Sequence, residues 1–373
     1  MARKIKVALL SKACVTGVYR SKLDEIINHS DVNLTVIVPP EWRDEQGILP
    51  FEATDTTEYD ILVEPIAFNG SYHFHFYPRL RRRLFEIDPD VLHIDEEPYN
   101  LATGHAIWAA RGHRCKTLFF SWQNINKHYP WPFSAMESSV MHHVDAAIFG
   151  TRSASKVFED KGYRGVSKVI PQFGVDTEVY RMRTNAKQIG SGFNIGFVGR
   201  LVYEKGVDIL IRVLTRMPKD VRLNVYGSGP ELAALRDLTE SLQIQDRVLI
   251  APWMSSDKIP ALLHTFDVLV LPSRSTSGWK EQFGRVLIEA MASGVPVIGS
   301  SCGEIPHVIG DAGLVFQEND LFALEEALML LYSDISLRSE LAQKGRKRVL
   351  THFTQASVAS RTVDLYRSLV DIS

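Results

Sequence analysis

The chain has 373 residues, 45% of them hydrophobic, with a formal net charge of -2 at pH 7 and three cysteines. This length is more than a single core usually serves, and the near-neutral charge argues against a general nucleic-acid binder. The spacing of Cys14, Cys115 and Cys302 fits neither a metal site nor a disulfide framework, which indicates reduced thiols in a cytoplasmic protein. No apolar run of the sequence reaches transmembrane length.

Short apolar runs alternate with helical patterns along the chain, which predicts the α/β class with doubly wound parallel sheets. The predicted strands of the first half are residues 5–10, 34–38, 91–94, 117–120, 146–149 and 168–170. Those of the second half are residues 194–198, 223–226, 248–250, 268–271 and 296–299. The polar stretch 181–192 is the predicted linker. We therefore expect two Rossmann-like domains, residues 1–180 and 193–353, facing one another across a cleft.

Residues 77–85 form a short, basic helical pattern in the first half. Tyr77, Leu80 and Leu84 share one helical face, and arginines surround that face. Such a helix either lies on anionic lipid or packs its apolar stripe into the core with its arginines in solvent. A peripheral membrane contact through Tyr77 to Phe85 is therefore one of two interpretations.

Two cations flank a predicted strand-to-helix turn in the second half. Arg200 and Lys205 follow the strand, and Gly199 and Gly206 allow the backbone to approach a ligand closely. Gly206 also lies near a helix N-terminus, where amides and the helix dipole favour anions. These are the ingredients of a diphosphate site, although solvated loop charges would give the same pattern.

Two carboxylates lie eight positions apart around a predicted helix start. Gly284 opens an apolar helix, so Glu281 precedes the helix and Glu289 lies inside it, among apolar residues. A charged group held there needs a partner. The hydroxyls of a ribose or a hexose are donors that suit both carboxylates.

Together these motifs resemble the family four retaining glycosyltransferases of the GT-B fold. The matching segments are residues 198–206, 225–231, 281–289 and 303–306, in the order and at the spacing of the family. Residues 170–180 resemble, more weakly, the segment that ends the N-terminal domain in that family. The resemblance also implies that the last helix, residues 354–373, crosses back to the first domain.

The resemblance implies roles for the donor-site residues. Arg200 and Lys205 would bind the diphosphate of a nucleotide sugar, Glu289 the ribose, and Glu281 the transferred sugar. The remaining donor-binding candidates are Gly17, Gly199, Trp253, Met254, Gln282, Phe283 and Gly284. Relatives often carry paired glycines after the first strand, whereas this chain has Gly17 alone, which weakens that contact.

The resemblance implies chemistry without a metal or another cofactor, because the cations would stabilise the leaving diphosphate. Asp88 and Asp90 form the only Asp-x-Asp sequence. They precede a predicted strand, so we interpret them as a helix-to-strand turn rather than a metal clamp.

The acceptor side has weaker candidates. Gln123 and Asn124 follow the fourth predicted strand, where many relatives carry a histidine, and neither side chain is a base near pH 7. His93, His105 and His128 are alternatives, each equally consistent with packing or solvation. A substrate-assisted route, in which the leaving phosphate accepts the proton, needs no protein base.

The resulting prediction is a retaining glycosyltransferase. It moves a sugar from a UDP-sugar or GDP-sugar donor to a glycan or lipid-linked acceptor in surface polysaccharide synthesis. An acceptor that is a glycolipid or a small molecule is the alternative within this class. A nucleotide-sugar epimerase of the same fold and a non-catalytic binding protein are the alternatives outside it. A nicotinamide oxidoreductase is disfavoured, because no complete G-x-G-x-x-G follows a strand.

Overall fold

The computed structural model describes residues 3–44, 47–53, 58–182 and 192–370. The chain divides into two compact units, one of residues 1–174 with 355–373 and one of residues 175–354. We call them the N-terminal and the C-terminal unit. Most of the predicted linker, residues 183–191, lies outside the described residues.

The N-terminal unit is built on a parallel sheet with the strand order β5-β2-β1-β6-β7-β8-β9. These strands and a small hairpin, β3–β4, are β1 Ile5–Leu10, β2 Val32–Val38, β3 Glu41–Asp44, β4 Gly47–Pro50, β5 Asp60–Val63, β6 Val91–Ile94, β7 Lys116–Ser121, β8 Ala146–Phe149 and β9 Val166–Val169. The helices are α1 Ser21–Ile27, α2 Leu80–Ile87, α3 Leu101–Ala110, α4 Phe133–His143 and α5 Arg152–Asp160.

Both faces of this sheet are buried, which explains why its central strands are continuous apolar runs. In β1, Val7 and Leu9 belong to one core cluster, and Ala8 and Leu10 to the cluster on the opposite face. Side chains along a strand point alternately to the two faces, so the apolar residues of β1 from Val7 to Leu10 must be covered on both.

The C-terminal unit has a second parallel sheet, with the strand order β12-β11-β10-β13-β14-β15. Its strands are β10 Phe193–Val198, β11 Val221–Tyr226, β12 Val248–Ala251, β13 Val268–Leu271, β14 Val297–Ser300 and β15 Leu314–Phe316. Its helices are α6 Val207–Leu214, α7 Leu232–Ser241, α8 Ile259–Leu263, α9 Arg285–Ala292, α10 Ile305–Ile309, α11 Leu321–Ser333 and α12 Ile335–His352.

The predicted fold class, two Rossmann-like parallel-sheet domains, is confirmed by these two sheets. Every predicted strand overlaps an observed strand, with bounds that differ by up to two residues. The edge strands β5 and β15 and the hairpin β3–β4 were not predicted. All four residues of β5 are partly or well exposed and β15 has three residues, so neither shows a sustained apolar run.

The final helix, α13 Gln355–Val370, packs in the N-terminal unit against α1 and β1. Val358, Val363 and Tyr366 are buried in the core of that unit. The hydroxyl of Tyr366 lies 2.7 Å from Nδ1 of His93, and both side chains are fully buried. This polar contact joins the last helix to the central strand β6.

We expect Tyr366→Phe to lower the free energy of unfolding by about 1 to 3 kcal/mol, because Nδ1 of His93 would stay buried without a partner. Urea unfolding of the purified protein measures the change. The matched control is Tyr332→Phe, because the Tyr332 hydroxyl donates to Asp220 at 3.0 Å on the surface of the C-terminal unit. Equal losses in the free energy of unfolding for both variants would contradict a stabilising role for the buried contact between Tyr366 and His93.

The basic helix of the first half is α2, and its apolar stripe is not a membrane face. Tyr77, Leu80 and Leu84 are buried in the core of the N-terminal unit. The membrane interpretation of that stripe is therefore wrong, because the core already covers it. Outside the core lie the arginines and Phe85, which is 62% exposed.

The Asp88 to Asp90 segment is the turn that joins α2 to β6. Asp88 ends the helix in the left-handed region with φ of 47°, and Asp90 accepts a hydrogen bond from the Lys6 amide at 2.9 Å.

Within the described ranges, none of the helices combines the length and the apolar character that crossing a bilayer requires.

Candidate active site

The candidate donor residues lie at the carboxyl edge of the C-terminal sheet. β10, β13 and β14 are neighbours, and their ends lead directly into Gly199, Ser273 and Gly303. In open parallel sheets this edge is where ligands bind. Residues that are far apart in sequence therefore meet at one place.

Lys205 and Glu281 form the centre of this group. The Lys205 ammonium donates to Oε2 of Glu281 at 2.5 Å, and the Ser273 hydroxyl donates to the same oxygen at 2.9 Å. The ammonium also lies 5.2 Å from the ring centre of Trp279, a cation–π distance. Glu281 is only 6% exposed. The cation and the first carboxylate of the motif are thus already paired without a ligand.

The backbone of Glu281 is held by the loop that follows β14. Its carbonyl accepts from the Glu304 amide at 3.1 Å, and its amide donates to Sγ of Cys302 at 3.4 Å. Gly303 has φ of 57°, and a Cβ built there would lie 2.1 Å from the Glu281 carbonyl oxygen. A glycine is therefore required where these two loops touch.

Glu289 lies inside α9, one face of which is buried. Its Oε1 is 2.8 Å from Nε of Arg285, and the Tyr180 hydroxyl donates to its carboxylate. Burial raises the pKa of Glu289 above its usual range, against the opposing effects of Arg285 and Tyr180. Gly284 begins the helix with φ of 76°, so the chain turns sharply between the two carboxylates of the motif.

The glycines of the second half hold the turns in place. Gly206 has φ of 66°, and a Cβ built there would lie 2.2 Å from the Pro272 carbonyl oxygen. A Cβ at Gly227 would lie 1.9 Å from the Gly199 carbonyl oxygen. Close packing of these loops requires hydrogen in place of a side chain. Arg200, which follows Gly199, is exposed.

The remaining donor candidates differ in exposure. Phe283 is buried and packs edge-on to Phe353 at 5.7 Å, whereas Gln282 is exposed. Trp253 is 54% exposed after β12, and Met254 beside it is partly buried. An exposed indole at this edge is available to a planar ligand such as a nucleobase.

Arg274 has a structural role that the sequence did not indicate. Its guanidinium pairs with Asp208 of α6 and lies 4.5 Å from the ring centre of Tyr203. Arg274 is 6% exposed. Arg274 therefore joins the loop after β13 to α6.

The N-terminal unit presents its own polar group at the carboxyl edge of β1, β6 and β7. The Lys12 ammonium pairs with Glu96, which also lies 3.3 Å from Nε2 of His75. Burial works to raise the pKa of Glu96, but Lys12 and His75 outweigh it and bring the pKa to about 2. Glu96 is thus an ionised, matched carboxylate.

Asp95 and Glu97 flank Glu96 in the sequence. Asp95 accepts from Ser11 and from Gln172, each at 2.8 Å. Glu97 accepts from the Ser121 hydroxyl at 2.5 Å and from the Trp122 amide at 2.8 Å. Asp95 to Glu97 were not singled out from the sequence. Three consecutive acids directly after a buried strand were the available signal.

Glu97 should make stability depend on pH. Burial raises its pKa from 4.5 to about 7, against the hydrogen bonds from Ser121 and Trp122. Between these values the folded chain keeps a proton that the unfolded chain releases, so stability falls as the pH rises through this window. We expect Glu97→Gln to remove part of that fall, measured by urea unfolding at about pH 5 and about pH 8. Glu159→Gln, an exposed acid on α5, should leave the fall unchanged.

The acceptor candidates are dispersed. Gln123 is 7% exposed, and its Oε1 accepts from Lys161 at 3.1 Å, while Lys161 also pairs with Glu137 at 2.6 Å. Asn124 is partly buried. His105 lies in α3 against Phe76 at 5.1 Å, away from the sheet edge.

The other two candidate histidines, His93 and His128, differ in burial. Burial lowers the pKa of His93 well below its usual range, and α13 covers it, so it is unavailable to an acceptor. His128 is exposed. His93 is thus near the carboxyl end of β6 but fully buried, and His105 lies within α3.

The Gly17 amide is occupied by an acidic side chain. It donates to Oε2 of Glu52 at 2.5 Å. This amide therefore has an internal acceptor, and its contact with a diphosphate stays a prediction. Among the described residues, no cluster of three or more His, Cys, Asp or Glu has the arrangement of a metal site.

Comparison with known proteins agrees with this architecture. Residues 184–348 match the family described as glycosyl transferases group 1. The predicted GT-B fold is confirmed by the likeness to solved glycosyltransferase structures, such as one from Rickettsia africae with a TM-score of 0.76 and 15% identity. The group 1 match lies within the C-terminal unit.

Individual relatives match over part of their length. N-acetyl-alpha-D-glucosaminyl L-malate synthase of Bacillus anthracis is 33% identical over 162 residues, which cover 43% of this chain and 40% of the relative. The lipopolysaccharide core biosynthesis glycosyltransferase LpsE of Rhizobium meliloti is 27% identical over 234 residues, 62% of this chain and 66% of LpsE. The chain spans about half the length of the curated relatives that it matches.

Among solved structures, HepE of Anabaena in complex with UDP superposes with a TM-score of 0.74 and 17% identity, covering 98% of this chain and 100% of HepE. At this identity the likeness shows the fold alone.

Proposed function

We propose that this protein is a retaining glycosyltransferase of family four that transfers a sugar from a nucleotide sugar. The observation that carries the proposal is the Lys205–Glu281 pair, 2.5 Å apart at the carboxyl edge of the C-terminal sheet. A cation for a diphosphate and a carboxylate for sugar hydroxyls are adjacent, as transfer from a nucleotide sugar requires. The group 1 match covers the segment that contains both residues.

In this proposal the donor binds the C-terminal unit. Arg200 and Lys205 bind the diphosphate, and the Gly199 and Gly206 turns let the phosphates approach the backbone. Glu289 accepts from the ribose hydroxyls, while Glu281 and the loop of Gln282 to Gly284 hold the sugar. Three weaker assignments remain. Trp253 and Met254 contact the nucleobase, and Gly17 contacts the phosphates.

The chemistry separates the sugar from the diphosphate through an oxocarbenium-like transition state. Negative charge grows on the leaving phosphate, and in this proposal Lys205 and Arg200 supply the fixed positive charge that stabilises it. This stabilisation needs no metal, so chelators should leave transfer unchanged. The leaving phosphate accepts the proton of the acceptor hydroxyl, which fits the absence of a histidine at residues 123 and 124.

Glycan and lipid-linked acceptors are the proposed acceptor classes, with a role in surface polysaccharide synthesis. The name of LpsE places that relative in lipopolysaccharide core biosynthesis, which supports such a setting. The UDP complex of HepE supports UDP as the first donor nucleotide to test, with GDP as the alternative.

The test of the reaction is proton NMR of a mixture of the protein, UDP-glucose or GDP-mannose, and a methyl glycoside acceptor. The proposal predicts an α-linked product from an α-linked donor. A β-linked product would contradict retention. Conversion of the donor into its epimer without any acceptor would support the epimerase, and no reaction or binding with either donor would support a non-catalytic protein.

We also propose a cytoplasmic enzyme that contacts the inner face of the plasma membrane through α2. With its stripe buried, the contact would use Arg81, Arg82, Phe85 and Trp108, which line an open surface pocket and of which Trp108 is 48% exposed. Arg81 lies 5.3 Å from the Trp108 ring centre. Cations beside exposed rings suit an anionic interface.

We expect the protein to float with liposomes containing phosphatidylglycerol but not with pure phosphatidylcholine. Arg81→Glu with Arg82→Glu should abolish flotation, and Arg338→Glu in the C-terminal unit is the control. Flotation that the double variant retains would contradict a contact through α2.

A further inference from the structure

The N-terminal unit contains a cavity of about 410 Å³ at the carboxyl edge of its sheet. Its wall is formed by the loops after β1, β6 and β7 and by the segment around Tyr72. The candidate donor residues of the C-terminal unit do not line it. A pocket of this size accommodates about one sugar ring with its substituents.

The charge of the wall is negative. Asp95, Glu96 and Glu97 line the cavity, and among the lining residues in the described part of the chain Lys12 is the one lysine or arginine. Lys12 already pairs with Glu96 and lies 5.4 Å from the ring centre of Trp42. An anionic ligand would therefore meet two further carboxylates and a cation whose charge is already matched.

Rings supply the rest of the wall. Tyr72, Tyr99 and Trp122 line the cavity, and Tyr99 is fixed by stacking on Tyr129 at 4.3 Å. Trp122 is oriented by its indole donating to Gln172 at 2.9 Å. Rigid rings beside carboxylates suit a sugar, whose C–H faces pack on rings and whose hydroxyls need acceptors.

Glu96 is held by the protein itself, whereas Asp95 and Glu97 keep acceptor capacity. Oε2 of Glu96 pairs with Lys12, and Oε1 lies 3.3 Å from Nε2 of His75. Asp95 and Glu97 each accept one donor per oxygen, and a carboxylate oxygen can accept a second.

We propose that this cavity binds the terminal sugar of the acceptor and selects neutral or amino sugars over uronic acids and sugar phosphates. The inference rests on the proposed transferase and adds the chemical class of its acceptor. Sugar hydroxyls donate to Asp95 and Glu97 while the ring packs on Tyr99 or Trp122. A carboxylate or phosphate on the sugar is repelled by Asp95, and also by Glu97 at a pH above its raised pKa of about 7.

Saturation-transfer NMR of the full chain with three matched probes tests this inference: methyl glucoside, methyl glucosaminide and methyl glucuronide. We expect the dissociation constant of the glucuronide to exceed that of the glucoside at least about tenfold, because like charges are brought together. Asp95→Asn combined with Glu97→Gln should reduce this ratio to about threefold or less.

Glu159→Gln together with Asp160→Asn is the matched control, because it removes the same charge from exposed positions of α5. It should leave the ratio unchanged. Binding of the glucuronide at least as tight as that of the glucoside would overturn the inference, as would no binding of the glucoside at all.

A parallel titration with UDP and GDP separates the two proposals. Nucleotide binding without the sugar selectivity would contradict the acceptor inference alone. Loss of nucleotide binding by the wild-type protein would contradict the proposed donor site.

Discussion

We expect Lys205→Met to lower kcat for glycosyl transfer about 100- to 1,000-fold, the usual loss when one preorganised donor to a developing negative charge is removed. The ammonium is held 2.5 Å from Glu281 and against Trp279, so its position is fixed before substrate arrives. A charge fixed in advance needs no reorganisation in the transition state. Because it acts on the leaving diphosphate, the change in KM should be smaller than the change in kcat.

The control is Lys344→Met. Lys344 also pairs with a glutamate, Glu340, at 2.7 Å, but on the surface of α12. Both variants remove a lysine–glutamate pair from the same unit, so only the location differs. Steady-state assays should show wild-type kcat for Lys344→Met. Equal kcat for both variants, with both folded, would contradict the catalytic role of Lys205.

Gly303→Ala should lower both stability and donor affinity. Its φ of 57° costs an alanine about 1 to 2 kcal/mol. In addition, its Cβ would lie 2.1 Å from the Glu281 carbonyl oxygen, so the loop that carries Glu281 must move. We expect a total loss of about 2 to 4 kcal/mol in the free energy of unfolding, with at least a tenfold weaker affinity for the nucleotide sugar.

Two glycines separate the sources of this effect. Gly112 has φ of 90° but no atom within 4 Å of a built Cβ, so Gly112→Ala measures backbone strain without a clash. Gly278 has neither strain nor a close neighbour, although it lies in the loop before Glu281. Urea unfolding and nucleotide titration should both show the largest loss for Gly303→Ala, a smaller loss for Gly112→Ala and the smallest loss for Gly278→Ala. A Gly303→Ala variant as stable as Gly112→Ala would show that the loop moves aside at no cost in stability.

The sequence predicted the parts of the fold that depend on local pattern. Strands buried on both faces, such as residues 146–149 and 268–271, appear as continuous apolar runs, and their bounds agree with the structure. The edge strand β5 and the hairpin β3–β4 are partly exposed, so their patterns do not stand out from loops. Edge strands are stabilised by pairing to the sheet more than by their own composition.

The candidate site was predictable only where residues of one motif share a loop or helix. Glu281 and Glu289 flank a helix start, and that spacing was visible. The pairing of Lys205 with Glu281 joins positions 76 residues apart, and only the order of β10 and β13 in the sheet brings them together. The resemblance supplied the roles, while the contact itself required the fold.

The reverse holds for the stripe of α2. Its amphipathic pattern suited a membrane surface, but Tyr77, Leu80 and Leu84 fill the core of the N-terminal unit. A local pattern does not distinguish an internal partner from an external one, since both satisfy the same chemistry.

The measurement that tests the central claim most directly is calorimetric titration of the wild-type protein and Lys205→Met with UDP, GDP and ADP in the presence of a chelator. The proposed donor site predicts that the wild-type protein binds one nucleotide selectively without a metal, and that Lys205→Met binds the same nucleotide more weakly. Absence of binding to all three nucleotides by the folded wild-type protein would contradict the diphosphate site, and with it the transferase.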